Sequence, residues 1–239
     1  MRWQASLFAS HDPPIVPAIG LPHCDPERRQ LDEYSWVDYA ANWLHGADQL
    51  FGELRSTMPW TTRTVKMYDR MVVEPRLSSW WTTSGPTAFP IPIFSELRTI
   101  LGSVYGRNFD SIGCNYYRDG KDSVAWHGDK LPFSRLGREE QPIIAIVSLG
   151  SRRPFLLRPT RADHLGGGSG RRSIRFELGD GDLLVMGGRS QIDWQHCVPK
   201  VARSGPRISV TYREALEVAP ERPRPDVPHG RTVPRLSPP

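Results

Sequence analysis

The residues of this sequence best suited to chemistry are two histidines and an aspartate. His127 and Asp129 stand two positions apart at the end of a β-type run, so a continuing strand would turn both side chains to one face. His196 lies far downstream, just after Trp194. Two histidines and one carboxylate, with coordination positions left open, form the ligand set of non-haem Fe(II) oxygen chemistry. An isolated H-x-D tripeptide is usually a surface pair, and His196 alone could be a packed core histidine.

A second candidate group is the segment 207–213 (RISVTYR). In a strand its side chains alternate, which places Arg207, Ser209, Thr211 and Arg213 on one face and three apolar residues on the other. If the polar face points into a barrel, the two arginines lose water and require anionic partners. A small dicarboxylate held by charge-assisted bonds would satisfy both. The alternative is an edge strand whose arginines face water.

Strands are needed to position these residues, and the second half of the chain supplies β-type runs. Gly, Pro and Asp separate the runs 112–117, 123–126, 143–149, 154–158, 174–178, 182–186 and 207–213. Many short strands with this punctuation are typical of a sandwich or a barrel. The first run places Asn115 and Tyr117 on one face, where an amide and a phenol could complete a polar pocket. Ordinary strand composition explains that pair equally well.

Two amphipathic helices are predicted ahead of the strands, at 46–58 and 93–105, because their apolar residues recur at helical spacing. Between the helices we expect one or two extended pieces at 61–73 and a loop at 75–86. The whole chain divides into a proline-rich extended arm at 1–31, a domain at 32–216 with its barrel core at 108–214, and a tail at 217–239. Proline richness and a lack of large apolar residues predict that the tail is disordered.

Composition sets further bounds. The chain has 239 residues, enough for one domain with a substantial core. Three widely spaced cysteines without a CxxC pair, no apolar run of membrane-spanning length and no secretory leader predict a cytoplasmic protein that does not enter a membrane. The net charge of +5 and the pI of about 9.3 are compatible with a polyanionic partner, although part of the excess charge lies in the tail.

Taken in order, these segments resemble the AlkB family of Fe(II)- and 2-oxoglutarate-dependent dioxygenases, which repair alkylated bases in nucleic acids. The matching pieces are Asn115-Tyr-Tyr117, Trp126-His127-Gly-Asp129, Ile146-Val-Ser-Leu-Gly150, Gly181-Asp-Leu-Leu-Val-Met-Gly-Gly188, His196 and Arg207-Ile-Ser-Val-Thr-Tyr-Arg213. The resemblance covers most of the chain from about Tyr34 to Arg213. It implies a mostly β fold with flanking helices (α+β), built around a cupin-like double-stranded β-helix, or jelly roll.

The same resemblance implies roles for the candidate residues. His127, Asp129 and His196 would bind Fe(II). The set that would bind the co-substrate 2-oxoglutarate is Asn115, Tyr117, Arg207, Ser209, Thr211 and Arg213. Within it, Arg207 would hold the distal carboxylate and Arg213 would lie near the carboxylate that is lost as carbon dioxide. The implied reaction consumes O2 and demethylates bases of the 1-methyladenine or 3-methylcytosine type in DNA, with release of formaldehyde, succinate and carbon dioxide.

Two positions depart from the family pattern. Ser209 stands where the family often has asparagine, and Leu131 stands where many members carry an acidic residue that helps to hold the target base. These departures leave the iron chemistry intact and leave the preferred base open.

The resemblance also places a substrate-covering lid at about 61–84. The candidates to contact a flipped base are Met67, Tyr68, Trp80 and Trp81, with Arg158 as a further base or phosphate contact. Each of these side chains could equally be core or rim packing.

Two other functions remain open at this point. The first is a related dioxygenase that acts on RNA, on a protein or on a small metabolite. The second, less favoured because it would not need inward-facing arginines, is a non-enzymatic jelly-roll module that binds nucleic acid. We expect a monomer in either case.

Overall fold

Strands dominate the computed structural model, which describes residues 26–67, 69–82, 91–129, 142–161 and 173–214. In chain order the described strands are β1 (Glu27–Gln30), β2 (Ser35–Ala40), β3 (Thr64–Met67), β4 (Arg70–Val73), β5 (Leu77–Thr82), β6 (Ser111–Tyr117), β7 (Val124–His127), β8 (Ile144–Gly150), β9 (Arg153–Pro159), β10 (Ile174–Leu178), β11 (Leu183–Gly188), β12 (Trp194–Val198) and β13 (Arg207–Arg213). The described helices are α1 (Ala47–Thr57), α2 (Pro92–Tyr105) and α3 (Ser190–Asp193).

The strands form two antiparallel sheets and one hairpin. The major sheet has seven strands in the order β1-β2-β11-β8-β13-β6-β5, the minor sheet has four in the order β10-β9-β12-β7, and β3 pairs with β4. Apolar side chains of β8 and β11, such as Ile144 and Met186, meet Phe155 and Leu157 of β9 between the two sheets. Two facing antiparallel sheets with helices outside confirm the predicted mostly β fold with a jelly-roll core.

Two helices cover the other face of the major sheet, and the residues at their ends favour helix initiation or termination. Pro92 occupies the first turn of α2, where its missing N–H costs nothing, and Gly106 ends that helix in the left-handed region at φ 64°. Helix α1 carries Asp48 in its first turn and Arg55 in its last, which complements the helix dipole. Their buried stripes pack in one cluster with alternate residues of β8, β11 and β13.

Most predicted elements are confirmed within a residue or two, and one prediction is wrong. The expected loop at 75–86 contains β5, because pairing with β6 supplies a partner that the flanking Pro75 and Pro86 do not reveal. The short helix α3 and the strand β12, which follows it directly, are not predicted from the sequence. Neither a four-residue helix nor a five-residue strand shows a clear period in the sequence.

The domain division stays a prediction, because residues 1–25 and 215–239 lie outside the described part of the chain. The last residues of the predicted arm are extended and form β1, which pairs with β2. The strands β1, β2 and β5 all belong to the major sheet, although they precede the predicted barrel core at 108–214. No helix among the described residues is long and apolar enough to span a membrane.

The packing of α2 on the sheet makes one stability prediction. Phe94 is fully buried against Trp81, whereas Val104 on the same helix is 62% exposed. We expect Phe94→Ala to lower the free energy of unfolding by about 3–5 kcal/mol, because it leaves a cavity. Val104→Ala should change it by less than about 0.5 kcal/mol. Urea unfolding of both variants measures the difference, and equal losses would contradict this packing.

Candidate active site

The two candidate histidines face each other across neighbouring strands. His127 on the edge strand β7 is the cross-strand partner of His196 on β12, and their ring centroids are 4.2 Å apart. Both side chains line a cavity between the two sheets, and the ring of Phe155 stacks against His196. The structure therefore brings together two residues that are far apart in the sequence.

The surroundings of both imidazoles suit metal binding. The Nδ1 atom of His127 lies 2.8 Å from the carbonyl oxygen of Ala125, which can only accept, so Nδ1 carries a proton and Nε2 is the ring nitrogen that a metal can bind. Burial, together with the proximity of His127, lowers the pKa of His196 to about 3. The His196 ring is therefore neutral at physiological pH, and a metal ligand must be neutral.

Asp129 completes the group two residues after β7. Its Oδ2 atom is 4.0 Å from Nε2 of His196, and its Oδ1 atom accepts a hydrogen bond of 3.2 Å from Nη1 of Arg213. Among the described residues no three His, Cys, Asp or Glu side chains are already gathered tightly enough to enclose a metal ion. Two imidazole nitrogens and a carboxylate around one cavity nevertheless have the chemistry that suits Fe(II).

Helix α3 holds the H-x-D segment from behind, a feature that the sequence did not reveal. Gln191 is 5% exposed, and its Oε1 accepts a hydrogen bond of 3.3 Å from the backbone N–H of Asp129. A Cβ at Gly128 would lie 2.8 Å from the carbonyl oxygen of Gln191, so the position between the two ligands has room only for glycine. The glycine inside H-G-D is the sequence signal for this close contact. The sequence does not identify Gln191 as the partner, because that residue is distant along the chain.

Arg207 is the most deeply buried charge of the site. It is 1% exposed, its Nε donates to Oγ of Ser148 at 2.9 Å, and burial lowers the pKa of its guanidinium. Its Nη1 atom is buried without a hydrogen-bond partner among the residues that the structure describes. An unsatisfied buried cation at the cavity wall is strongly unfavourable unless an anion binds there, and a carboxylate group fits that requirement.

The remaining predicted co-substrate residues lie on the same wall. The cavity is lined by Asn115, Tyr117, Ser209, Thr211 and Arg213, as well as by Arg207. Strand β13 pairs with β6 so that Ser209 is opposite Asn115 and Arg207 is opposite Tyr117. The Oδ1 atom of Asn115 accepts hydrogen bonds from Arg76 Nε at 3.0 Å and Ser78 Oγ at 3.1 Å, which leaves its amide nitrogen available as a donor.

The cavity has a volume of about 630 Å³ and a positive lining. Its charged lining residues are one aspartate, Asp129, and the four arginines Arg63, Arg76, Arg207 and Arg213. Two of these cations already have a carboxylate partner, since Arg76 forms an ion pair of 2.9 Å with Glu74 and Arg213 one of 3.2 Å with Asp129. The surplus of positive charge favours anionic ligands.

The predicted substrate residues separate into distinct locations. Trp80 is 50% exposed at the cavity, where its indole covers Gly113 and lies 4.6 Å from the guanidinium of Arg213. Trp81 points the opposite way, into the core beside Phe94, so the structure does not bring it to the cavity.

Arg158 also lies away from the cavity. It sits on the outer face of the minor sheet, bound to Gln195 Oε1 at 2.9 and 3.1 Å and placed 4.1 Å from the ring centre of Trp126. Met67 belongs to β3, while Tyr68 and Leu131 lie outside the described residues. Contacts of these residues with a substrate stay predictions.

Comparison with known proteins gives a consistent result. Residues 39–213 match the family model described as the 2OG-Fe(II) oxygenase superfamily. The chain is 37% identical over 182 residues to the alpha-ketoglutarate-dependent dioxygenase alkB homolog 3 of Bos taurus, a match that covers 71% of this chain and 62% of that protein. It is 30% identical over 188 residues to the DNA oxidative demethylase ALKBH2 of Homo sapiens, covering 71% and 69%.

The fold is also similar to a solved structure. The structure of OsALKBH1 superimposes with a TM-score of 0.54 at 15% identity and covers 79% of this chain and all of that one, which supports the shared fold. The chain spans only about three-fifths of the length of the alkB homolog 3 relatives that it matches.

The burial of Arg207 generates a prediction that separates stability from binding. Replacing a buried, half-satisfied cation by an apolar group of similar length is often neutral or stabilising. We expect Arg207→Met to leave the free energy of unfolding unchanged or to raise it by about 1 kcal/mol. In the same variant, added 2-oxoglutarate should no longer raise stability if Arg207 is the partner of its distal carboxylate.

Urea unfolding with Mn(II), with and without 2-oxoglutarate, measures both effects. A ligand present at about 100 times its dissociation constant adds about 2.7 kcal/mol to the wild type. The exposed Arg203 is the matched control, and Arg203→Met should keep that increment. An Arg207→Met chain that is still stabilised by 2-oxoglutarate would show that the dicarboxylate binds elsewhere.

Proposed function

Because the chain belongs to the AlkB family within the 2OG-Fe(II) oxygenase superfamily, we propose that it is an Fe(II)- and 2-oxoglutarate-dependent dioxygenase that demethylates alkylated bases in DNA. The observation that carries the proposal is the pairing of two ligand types in one cavity. A His127, Asp129 and His196 group lies at one end, and a buried guanidinium with an unsatisfied Nη1 lies on the facing sheet.

In this proposal His127, Asp129 and His196 hold Fe(II). When bound, the iron supplies the oxidising chemistry with O2 and 2-oxoglutarate. The protein's own part is positional. The carbonyl of Ala125 orients the His127 ring through its Nδ1 atom, Gln191 fixes the backbone of Asp129, and burial keeps His196 neutral.

The co-substrate is held by the major sheet. Arg207 would bind the distal carboxylate of 2-oxoglutarate, in a direction set by its bond to Ser148. Asn115, Tyr117, Ser209 and Thr211 would supply the surrounding hydrogen bonds. Arg213 would lie near the carboxylate that is lost as carbon dioxide, since it already donates a hydrogen bond to Oδ1 of Asp129.

The substrate would approach from the side of β5. Trp80 offers a half-exposed aromatic face there, and base stacking on an aromatic ring tolerates any base. Arg63 and Arg76 add positive charge at the cavity, which suits a phosphate backbone. A base in a duplex must leave the stack to reach the iron, and a methylated base that cannot pair costs less to flip.

The proposal is tested with methylated oligonucleotides that contain 1-methyladenine and 3-methylcytosine. Incubation with Fe(II), ascorbate and 2-oxoglutarate should remove one methyl group per base and release formaldehyde and succinate in equal amounts. Mass spectrometry of the oligonucleotide gives the base that is repaired. DNA and RNA versions, single-stranded and double-stranded, reveal the preferred polymer.

His127→Ala should reduce turnover by at least about a thousandfold, because a ligand of the iron is lost. It should also abolish the visible charge-transfer band of the anaerobic complex with Fe(II) and 2-oxoglutarate. His45→Ala is the matched control, because His45 is exposed and outside the cavity. Succinate formation without loss of methyl groups from any oligonucleotide would favour the alternative, a dioxygenase of a protein or a small metabolite.

A further inference from the structure

A buried arginine outside the cavity lies close to both histidine strands. Arg153, the first residue of β9, is 1% exposed and belongs to the largest fully buried side chains. Burial lowers the pKa of its guanidinium. Among the described residues no carboxylate accepts a hydrogen bond from it; its Nη1 and Nη2 atoms donate to three main-chain carbonyls instead, and its Nε atom has no partner.

Those three carbonyls come from two separate segments. Nη1 of Arg153 donates to Asp119 O at 2.9 Å, and Nη2 donates to Asp122 O at 2.9 Å and to Pro199 O at 2.7 Å. Asp119 and Asp122 belong to the turn that leads into β7, and Pro199 directly follows β12. One side chain thus joins the start of the His127 strand to the end of the His196 strand.

The turn itself is tightly built. The carboxylate of Asp122 accepts hydrogen bonds from the backbone N–H and from the guanidinium of Arg118. The backbone N–H of Val201 donates to Gly120 O at 2.9 Å, and a Cβ at Gly120 would lie only 2.4 Å from Val201 O. The segments before β7 and after β12 are therefore in direct contact where Arg153 bridges them.

Strand β7 needs such an anchor because its own pairing is weak. It has four residues, lies at the edge of the minor sheet, and is registered to β12 by two pairs, His127 with His196 and Val124 with Val198. Between these pairs β7 advances three residues while β12 advances two, so β7 carries one extra residue.

The extra residue decides which way His127 points. Val124 and His127 both line the cavity, although an odd spacing would place them on opposite faces of a regular strand. A slip of one residue would turn His127 away and bring a neighbour inward. Short edge strands resist such slips poorly by themselves.

We propose that Arg153 is a positioning residue, which fixes the register of β7 against β12 and so holds His127 opposite His196. It does this from behind the site, without touching the metal, co-substrate or nucleic acid. A planar guanidinium reaches all three carbonyls at once, and a lysine ammonium cannot reproduce that fork. The inference rests on the proposed function only in taking the two histidines as metal ligands.

The test is the affinity for Mn(II), a redox-stable stand-in for Fe(II), measured from the loss of the free-ion EPR signal. We expect Arg153→Lys to raise the dissociation constant by about 10- to 100-fold, the usual effect of removing a residue that supports a ligand. Hydrogen exchange should also quicken in a peptide covering 124–129. Arg152→Lys is the matched control, because Arg152 is the exposed neighbour, and it should bind Mn(II) as the wild type does.

Two further variants keep the test decisive. Gly120→Ala should weaken Mn(II) binding in the same way, because its Cβ pushes the turn away from Val201, whereas Gly52→Ala meets nothing within 4 Å and should not. Phe94→Ala destabilises the distant helical core, so it should keep the wild-type affinity if folded protein is measured. This contrast separates positioning from a general loss of stability.

The outcomes are distinguishable from those of the proposed function, because no oligonucleotide or turnover is involved. Wild-type binding of Mn(II) with unchanged affinity in both Arg153→Lys and Gly120→Ala overturns this inference alone. A wild-type chain that does not bind Mn(II) at all overturns the metal group of the proposed function, and this inference with it.

Discussion

The alternation of side chains along β13 is the constraint on which the rest of the structure depends. This strand lies inside the major sheet between β8 and β6, and it pairs with β6 over its whole length. Its apolar face packs on the helices, and its polar face lines the cavity. A shift of one residue would place two arginines in the core beside the helices and turn Tyr212 towards the cavity. Burial of the apolar face of β13 therefore fixes the register that points its polar side chains into the cavity.

Much of this arrangement could be predicted because it depends on patterns within short stretches of the sequence. The period of two in 207–213 gives the faces of β13, and helical spacing gives α1 and α2 almost to the residue. Pro92 and Gly106 mark the ends of α2 with residues that suit few other places. The spacing of His127 and Asp129 likewise needs only a strand to bring both towards one cavity.

The parts that could not be predicted depend on partners distant in sequence. Trp81 faces the core because α2 packs against it through Phe94. The residues Trp80 and Trp81 themselves do not indicate which of the two has this helix as a neighbour. Arg158 follows a buried leucine on an alternating strand, and only the position of the second sheet shows that its side chain lies outside.

The residues that support the candidate site residues could not be predicted from the sequence either. Ser148, Gln191 and Arg153 are ordinary strand and helix residues in the sequence, and they gain importance because three-dimensional packing brings their polar atoms to another chain segment. The site residues could thus be found from their own chemistry, while the residues that hold them could not.

The two tryptophans of β5 show that neighbouring positions of one strand can differ in how well they tolerate replacement. Trp81 belongs to the core and Trp80 to the cavity mouth, one residue apart on the same strand. An insertion or deletion of one residue within β5 would exchange their faces and disrupt the core. A substitution at position 80 leaves the core untouched, because that side chain is half exposed and rests on the backbone of Gly113. The side chains at the mouth of the cavity can therefore be replaced while the framework beneath them stays intact.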